Sequence, residues 1–160
     1  TQGVSSAASD VYKRQIYNET LRDRVCAVSN KTHYNEMNVL SMHALIGAYQ
    51  PQGYEWVDEL NQVLADNIEY FCTYAEKHWK GVAFSRPQGT YMVFLDCTEW
   101  CREHGRDIQW LLDEGARVGV GYQDGRPFHG PCHIRVNLAL PLSRVKEACD
   151  RLDRYVFNAY

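Results

Sequence analysis

The stretch His133-Ile134-Arg135-Val136-Asn137-Leu138-Ala139-Leu140 decides how the rest of the chain is read. Its apolar residues recur at every second position, the period of a β-strand, so Ile134, Val136 and Leu138 share one face and His133, Arg135 and Asn137 the other. One face is expected to be core, and the other is left for polar work. Arg135 is then a planar cation on a rigid support, where a solvated charge has little reason to be. A guanidinium is satisfied there by two parallel hydrogen bonds to a carboxylate. The residues alone leave two partners open: an Asp or Glu of the same chain, or the carboxylate of a bound organic acid.

Downstream of this strand, Ser143 is the expected cap of a last helix that buries Val145, Ala148, Cys149, Leu152, Tyr155 and Val156, with Glu147 and Arg151 paired four residues apart on its outside. Upstream, the Gly- and Pro-rich segment 121–131 reads as a loop, preceded by a short strand at 117–120. A helix from Asp107 to Glu114 is expected, capped by Asp107 and closed by Gly115 in a left-handed conformation. Apolar runs at 82–84 and 91–95, around the turn signal Pro87-Gln88-Gly89, read as strands.

Before residue 81 the period is helical. Trp56, Leu60, Val63, Leu64, Ile68, Phe71, Cys72, Ala75 and Trp79 recur at three- and four-residue spacing, which predicts a helix over 54–79 of about 39 Å. It is long enough to bridge two domains. Two shorter helices are expected over 16–29 and 35–49, the second stopping before Pro51-Gln52-Gly53. The order helix, helix, long helix, then strands alternating with helices describes a small α/β unit joined to the end of a helical neighbour.

Composition narrows the function classes. With 160 residues, 45% of them hydrophobic, the chain has the material for one sizeable core. A net charge of −3 and a pI near 6.0 give no electrostatic footprint for nucleic acid or an anionic membrane, and no apolar run approaches the ~18 residues of a membrane span. The six cysteines, Cys26, Cys72, Cys97, Cys101, Cys132 and Cys149, follow no framework spacing and read as reduced thiols of a cytoplasmic protein. Cys97-x3-Cys101-x2-His104 offers three metal ligands without a second cluster, so no metal is expected, and the segment reads as a strand end followed by a turn.

Two sequence blocks carry a resemblance. Pro87-Gln88-Gly89-Thr90-Tyr91 stands before an apolar strand ending at Asp96, and Ile134-Arg135-Val136-Asn137-Leu138-Ala139 stands before Pro141. Their order and spacing resemble the C-terminal part of a fold-type I pyridoxal-phosphate enzyme of the class I/II aminotransferase family. Asn35-Glu36-Met37-Asn38-Val39-Leu40-Ser41 followed by Gly53-Tyr54-Glu55-Trp56-Val57-Asp58 looks most like its cystathionine β-lyase and cysteine-S-conjugate β-lyase branch. The similarity runs from about Tyr17 to Phe157.

The resemblance implies an α/β fold with an α+β small domain: residues 16–50 as the helical end of a large cofactor domain, and 51–160 as an interdomain helix and a small C-terminal domain with a short, mostly antiparallel sheet covered by helices. Residues 1–15 are expected to be a non-native or disordered leader, because Val4 to Gln15 resembles translated sequencing-adapter read-through; on that expectation the native N-terminal part is missing. The parent would be a C–S β-lyase, alternatively an aminotransferase, or, from another class, a non-catalytic binding domain.

By the same resemblance, Arg135 grips the α-carboxylate of an amino-acid substrate and Gly89, Thr90 and Tyr91 line its pocket. Arg126 and His129 lie in the loop beside the pocket mouth, and His33, Tyr34 and Asn38 face a neighbouring site in a homodimer. The lysine that anchors pyridoxal phosphate belongs upstream in the family, so Lys31, in Ser29-Asn30-Lys31-Thr32, is expected to be a solvated loop residue, and the fragment alone to be inactive.

Overall fold

The computed structural model describes residues 16–32 and 38–159, and the chain divides into two units, Thr1–Val57 and Asp58–Tyr160. The supposed leader, residues 1–15, lies outside the described residues.

In the first unit, α1 spans Glu19–Thr32 and α2 spans Val39–Ala48. Helix α1 starts three residues later than its periodicity predicts. The Asn18 side chain accepts the Leu21 N–H at 2.9 Å and so supplies a cap that the apolar spacing does not reveal. Asn38 caps α2 in the same way, its Oδ1 accepting the Ser41 N–H at 2.8 Å. The long helix α3, Pro51–His78, begins at the proline rather than three residues after it, because the first helical position needs no N–H donor. Gly53 in its first turn is required sterically, since a Cβ there would stand 2.1 Å from the Ala48 carbonyl oxygen.

The second unit holds a three-stranded antiparallel sheet of β1 (Met92–Asp96), β2 (Gln123–Asp124) and β3 (His133–Asn137), in the order β1-β3-β2. Alternation along the strands sorts the side chains as expected. Val93, Leu95, Ile134 and Val136 are buried on one face, while Met92, Phe94, Asp96, His133 and Arg135 on the other are only half-buried. Helices α4 (Thr98–His104), α5 (Ile108–Arg117) and α6 (Leu142–Leu152), together with the C-terminal half of α3, complete the core. A π-type turn, Asp153–Phe157, ends α6 and buries Val156 and Phe157. Phe157 joins the helices: its ring lies 4.6 Å from Trp79 and 5.5 Å from Trp100, and its carbonyl accepts the Trp100 Nε1–H at 3.1 Å. Two buried indoles give this corner a large share of the apolar burial, the Trp100 N–H bonded and the Trp79 N–H buried without an acceptor among the described residues.

Several sequence expectations are corrected here. Residues 82–84 are no strand: only Ala83 bridges Asp96, through hydrogen bonds of 2.9 and 2.7 Å. The segment after Cys97 is helix α4 rather than a turn, started by Asp96, whose Oδ1 accepts the Thr98 N–H at 2.9 Å. Asp107 caps α5 as expected, but Gly115 does not close it. The helix continues to Arg117, and Gly119 takes the left-handed position (φ 75°), with Val120 N–H bonding Gly115 O at 2.8 Å and Gly119 N–H bonding Ala116 O at 3.0 Å. That is the double closure of a Schellman motif, and it leaves no strand at 117–120. Gly115 is instead a packing glycine, where a Cβ would meet the Tyr122 ring at 2.4 Å. Helix α6 begins at Leu142 without a side-chain cap, so Ser143 lies inside it, and Tyr155 is exposed. Within the expected loop, residues 123–124 form β2 and Arg126–Phe128 a 3-10 turn.

Candidate functional site

The open face of the sheet is built around Arg135. Phe94 of β1 and Gln123 of β2 stand directly opposite it on either side, and residues paired across antiparallel strands share a face. The Gln123 Oε1 accepts the Arg135 Nε–H at 2.7 Å, and the Phe128 ring centroid lies 4.1 Å from the guanidinium carbon. Among the described residues no Asp or Glu pairs with Arg135, and its Nη1 and Nη2 groups have no acceptor. Several other arginines of this unit contrast with it by meeting carboxylates. Arg86 meets Glu69 and Glu76, Arg126 meets Asp124, and Arg144 and Arg151 meet Glu147. The internal-carboxylate alternative for Arg135 is therefore not what the structure shows. Two N–H-bearing nitrogens at one edge of a held plane are what bidentate carboxylate recognition requires.

The turn that presents Phe128 is itself fixed. Gly125 N–H bonds His133 O at 2.9 Å, and Phe128 N–H and Gly130 N–H both bond Gly125 O, at 2.9 and 3.1 Å. Arg126 serves this turn: its N–H and Nε–H donate to Asp124 at 2.9 and 2.7 Å, and Nη2 donates to Gln109 at 3.0 Å. Those hydrogen bonds from the Arg126 backbone and side chain outweigh the opposing desolvation and hold the Asp124 carboxyl below the usual carboxylate range. His129 follows in a left-handed conformation, φ 63°.

Thr90 is also left-handed, at φ 68°, whereas Gly89 before it is not. A β-branched residue in that region is a strained backbone position, of the kind found beside ligand sites. Tyr91 O accepts the Leu138 N–H at 2.9 Å, joining this turn to the end of β3. Tyr91 lies three residues from the Phe94–Arg135 pair, about 10 Å along the strand. Arg86 anchors the segment leading into the turn, donating through Nε and Nη2 to Glu76 at 3.0 and 2.8 Å and through Nη1 to Glu69 at 2.5 Å. Arg135, Gly89, Thr90, Tyr91 and Arg126 thus all belong to the second unit. Asn38 belongs to the first, and His33 and Tyr34 lie outside the described residues.

At the other end of β3, His133 stacks on Phe94 with centroids 4.7 Å apart, and its Nε2 lies 3.8 Å from Asp96 Oδ2. These three residues, with Ala83, Phe84 and Ser85, line a cavity of about 420 Å3. A second cavity of about 350 Å3 lies between β3 and α6, floored by Phe71, Val136 and Leu152. Arg135 lines neither cavity.

Among the described residues no three His, Cys, Asp or Glu side chains converge as a metal site. Cys97 and Cys101 are buried, and His104 stacks on Trp100 with its Nδ1 against the Trp100 carbonyl. No described helix is long and apolar enough to cross a membrane. Gln123 and Phe128 are the residues that sequence reasoning passed over. In a loop rich in Gly and Pro nothing marks a two-residue strand, and only the aromatic character of Phe128 stands out.

No family model matches the chain. A putative cystathionine β-lyase of Mycobacterium leprae is 33% identical over 122 residues, covering 66% of this chain and 29% of that protein. Protein MalY of Escherichia coli is 29% identical over 135 residues, covering 82% and 34%. The chain thus spans about a third of the length of these curated relatives. Among solved structures, the pyridoxal-phosphate-bound C–S lyase from Staphylococcus hominis matches with a TM-score of 0.74 at 27% identity, over 91% of this chain and 37% of that one. Cystalysin from Treponema denticola, which contains pyridoxal 5'-phosphate, shares the fold at a TM-score of 0.74 and 22% identity, over 91% and 36%.

Pyridoxal phosphate is therefore the cofactor of the parent family. The described residues do not by themselves make its site: Lys31, Lys77, Lys80 and Lys146 are all exposed, Lys31 in the last turn of α1. Sequence identity to cystathionine β-lyases and the shared fold agree, and both match this chain to the C-terminal part of fold-type I pyridoxal-phosphate enzymes.

Proposed function

We propose that this chain is the substrate-gripping C-terminal segment of a pyridoxal-phosphate-dependent carbon–sulfur β-lyase, acting on cystathionine or another L-cysteine conjugate. The observation that carries the reading is Arg135: a strand-borne cation held at Nε, whose Nη groups meet no acceptor and no carboxylate among the described residues. Its role is to bind the substrate α-carboxylate and so orient the bond to be broken. The turn Gly89-Thr90-Tyr91 and the Arg126 loop form the surroundings of the bound substrate. The electron-withdrawing chemistry of the cofactor comes from the remainder of the longer protein. A homodimer is the proposed assembly, with His33, Tyr34 and Asn38 toward the neighbouring site. All six cysteines are free, which supports a reducing, cytoplasmic setting.

The test uses the full-length parent with cystathionine as substrate and pyruvate release as the readout. Arg135→Ala should raise KM by roughly a hundredfold, the loss of a charge-assisted bidentate contact of about 2–3 kcal/mol. An unchanged KM would remove Arg135 from substrate binding. Pyruvate release should proceed without a 2-oxo acid. Turnover that requires such an acceptor would identify amino-group transfer instead.

A further inference from the structure

A guanidinium can offer a carboxylate its end, through Nη1 and Nη2, or its side, through Nε and one Nη. In Arg135 the side is taken. Gln123 Oε1 holds the Nε–H at 2.7 Å, and the Phe128 ring covers one plane of the group at 4.1 Å. Among the described residues, what remains open is the end. Resting on the carboxylate-clamp reading above, we infer that Gln123 is a positioning residue that fixes Arg135 for end-on binding of a carboxylate.

The choice of an amide at this place has a physical reason. A carboxylate opposite Arg135 would form an internal ion pair and compete with the incoming acid. One is close at hand, because Asp124 is the next residue. Strand alternation turns it to the other face, where Arg126 engages it at 2.9 and 2.7 Å. Slipping β2 by one residue against β3 would exchange the amide for the acid beneath Arg135. Gly125 opposes that slip. It is bonded to His133 O at 2.9 Å and packed so closely that a Cβ would stand 2.4 Å from the same oxygen. The pairing Gln123↔Arg135 and Asp124↔Ile134 is thus pinned by the residue that ends β2. A side chain already held in one rotamer surrenders less freedom on binding.

The experiment uses the 160-residue chain labelled with 15N-arginine, with the Arg135 Nε–Hε signal assigned from its loss in Arg135→Lys. Sodium acetate is the probe, and sodium chloride of equal ionic strength the control. Gln123→Met keeps the length of the side chain and removes the acceptor, while Gln123→Glu keeps the acceptor and adds a negative charge. In the parent chain, acetate should shift the Nη signals and leave Hε bonded. Gln123→Met should exchange Hε about tenfold faster and bind acetate roughly threefold to tenfold more weakly. Gln123→Glu should keep the slow exchange yet also bind acetate more weakly, a split that loss of packing would not produce. Wild-type Hε exchange and acetate affinity in Gln123→Met would overturn the role of Gln123 while leaving the clamp intact. If Gln123→Met does not fold, acetate affinity unchanged in Gln123→Glu overturns it equally. Absence of any acetate effect beyond chloride on wild-type Arg135 would overturn the clamp, and this inference with it.

Discussion

Asn67, fully buried on the long helix, donates its side-chain amide to Leu138 O at 2.8 Å, and also to Leu140 O at 2.7 Å, just past the end of the Arg135 strand. One amide group thus ties the helix to the backbone where β3 turns toward α6. The Leu138 carbonyl has a second donor, Leu140 N–H at 2.9 Å.

Asn67→Ala should therefore cost about 2–4 kcal/mol, from a lost pair of buried hydrogen bonds and a small cavity, seen as a lower urea midpoint. Asn67→Asp tests the donor directly. An aspartate facing two carbonyl oxygens is favoured only when protonated, so its folded pKa lies above the unfolded value near 3.9. Protonation then stabilises the fold, and the variant should lose stability progressively as pH rises above about 4. A variant whose urea midpoint does not fall across that range would contradict the donor assignment.

Thr90 pays for its left-handed backbone with strain that glycine would not carry. Thr90→Gly should raise stability by about 0.5–1 kcal/mol, the relief being partly offset by the freer unfolded chain, and the melting temperature should rise by a few degrees. Gly89→Ala should be neutral within about 0.5 kcal/mol, since its Cβ would meet nothing within 4 Å. A destabilised Thr90→Gly would show that the Thr90 side chain has a structural partner.

Acid should act on Asp96. Burial alone would raise its pKa, but the Thr98 hydroxyl and backbone N–H, at 2.5 and 2.9 Å, and His133 together bring it below the ordinary value. Its stabilisation is then present above the unfolded pKa of about 3.9 and is lost as pH falls below that toward the folded value. Glu147, lowered by its hydrogen bond from Arg144 and by Arg151, acts in the same direction. Thr98→Val should shift the acid unfolding midpoint, followed by circular dichroism, to higher pH.

The cysteines should divide sharply toward alkylation. Burial pushes the Cys101 thiol up to about 12, with Cys132 adding to the shift, and the Cys149 thiol up to about 12; Cys72 and Cys97 are raised by burial as well. Protonated and covered, these four should resist iodoacetamide at neutral pH. Exposed Cys26 should react first and half-exposed Cys132 next, as read by peptide mass spectrometry.

Much of this molecule is legible without coordinates. The period-2 runs place β1 within a residue and the start of β3 at His133, though β3 ends at Asn137, and they send Ile134 and Val136 inward, because alternation across a pleated strand puts every second residue on one face. The long helix is equally plain. Boundaries are less so. Asn18, Pro51 and Gly119 moved the ends of three helices, each through a local hydrogen-bond or dihedral requirement that competes with apolar spacing.

For the site, the sequence by itself identified a rigid arginine on a polar strand face and left its partner open. Only the tertiary structure decided the matter. Gln123 is 12 residues away along the chain, and Phe128 reaches Arg135 through a turn whose pairing depends on Gly125. Neither contact leaves a periodic trace. An internal ion pair depends on which residues meet across strands, and that follows from register and packing rather than from any local pattern.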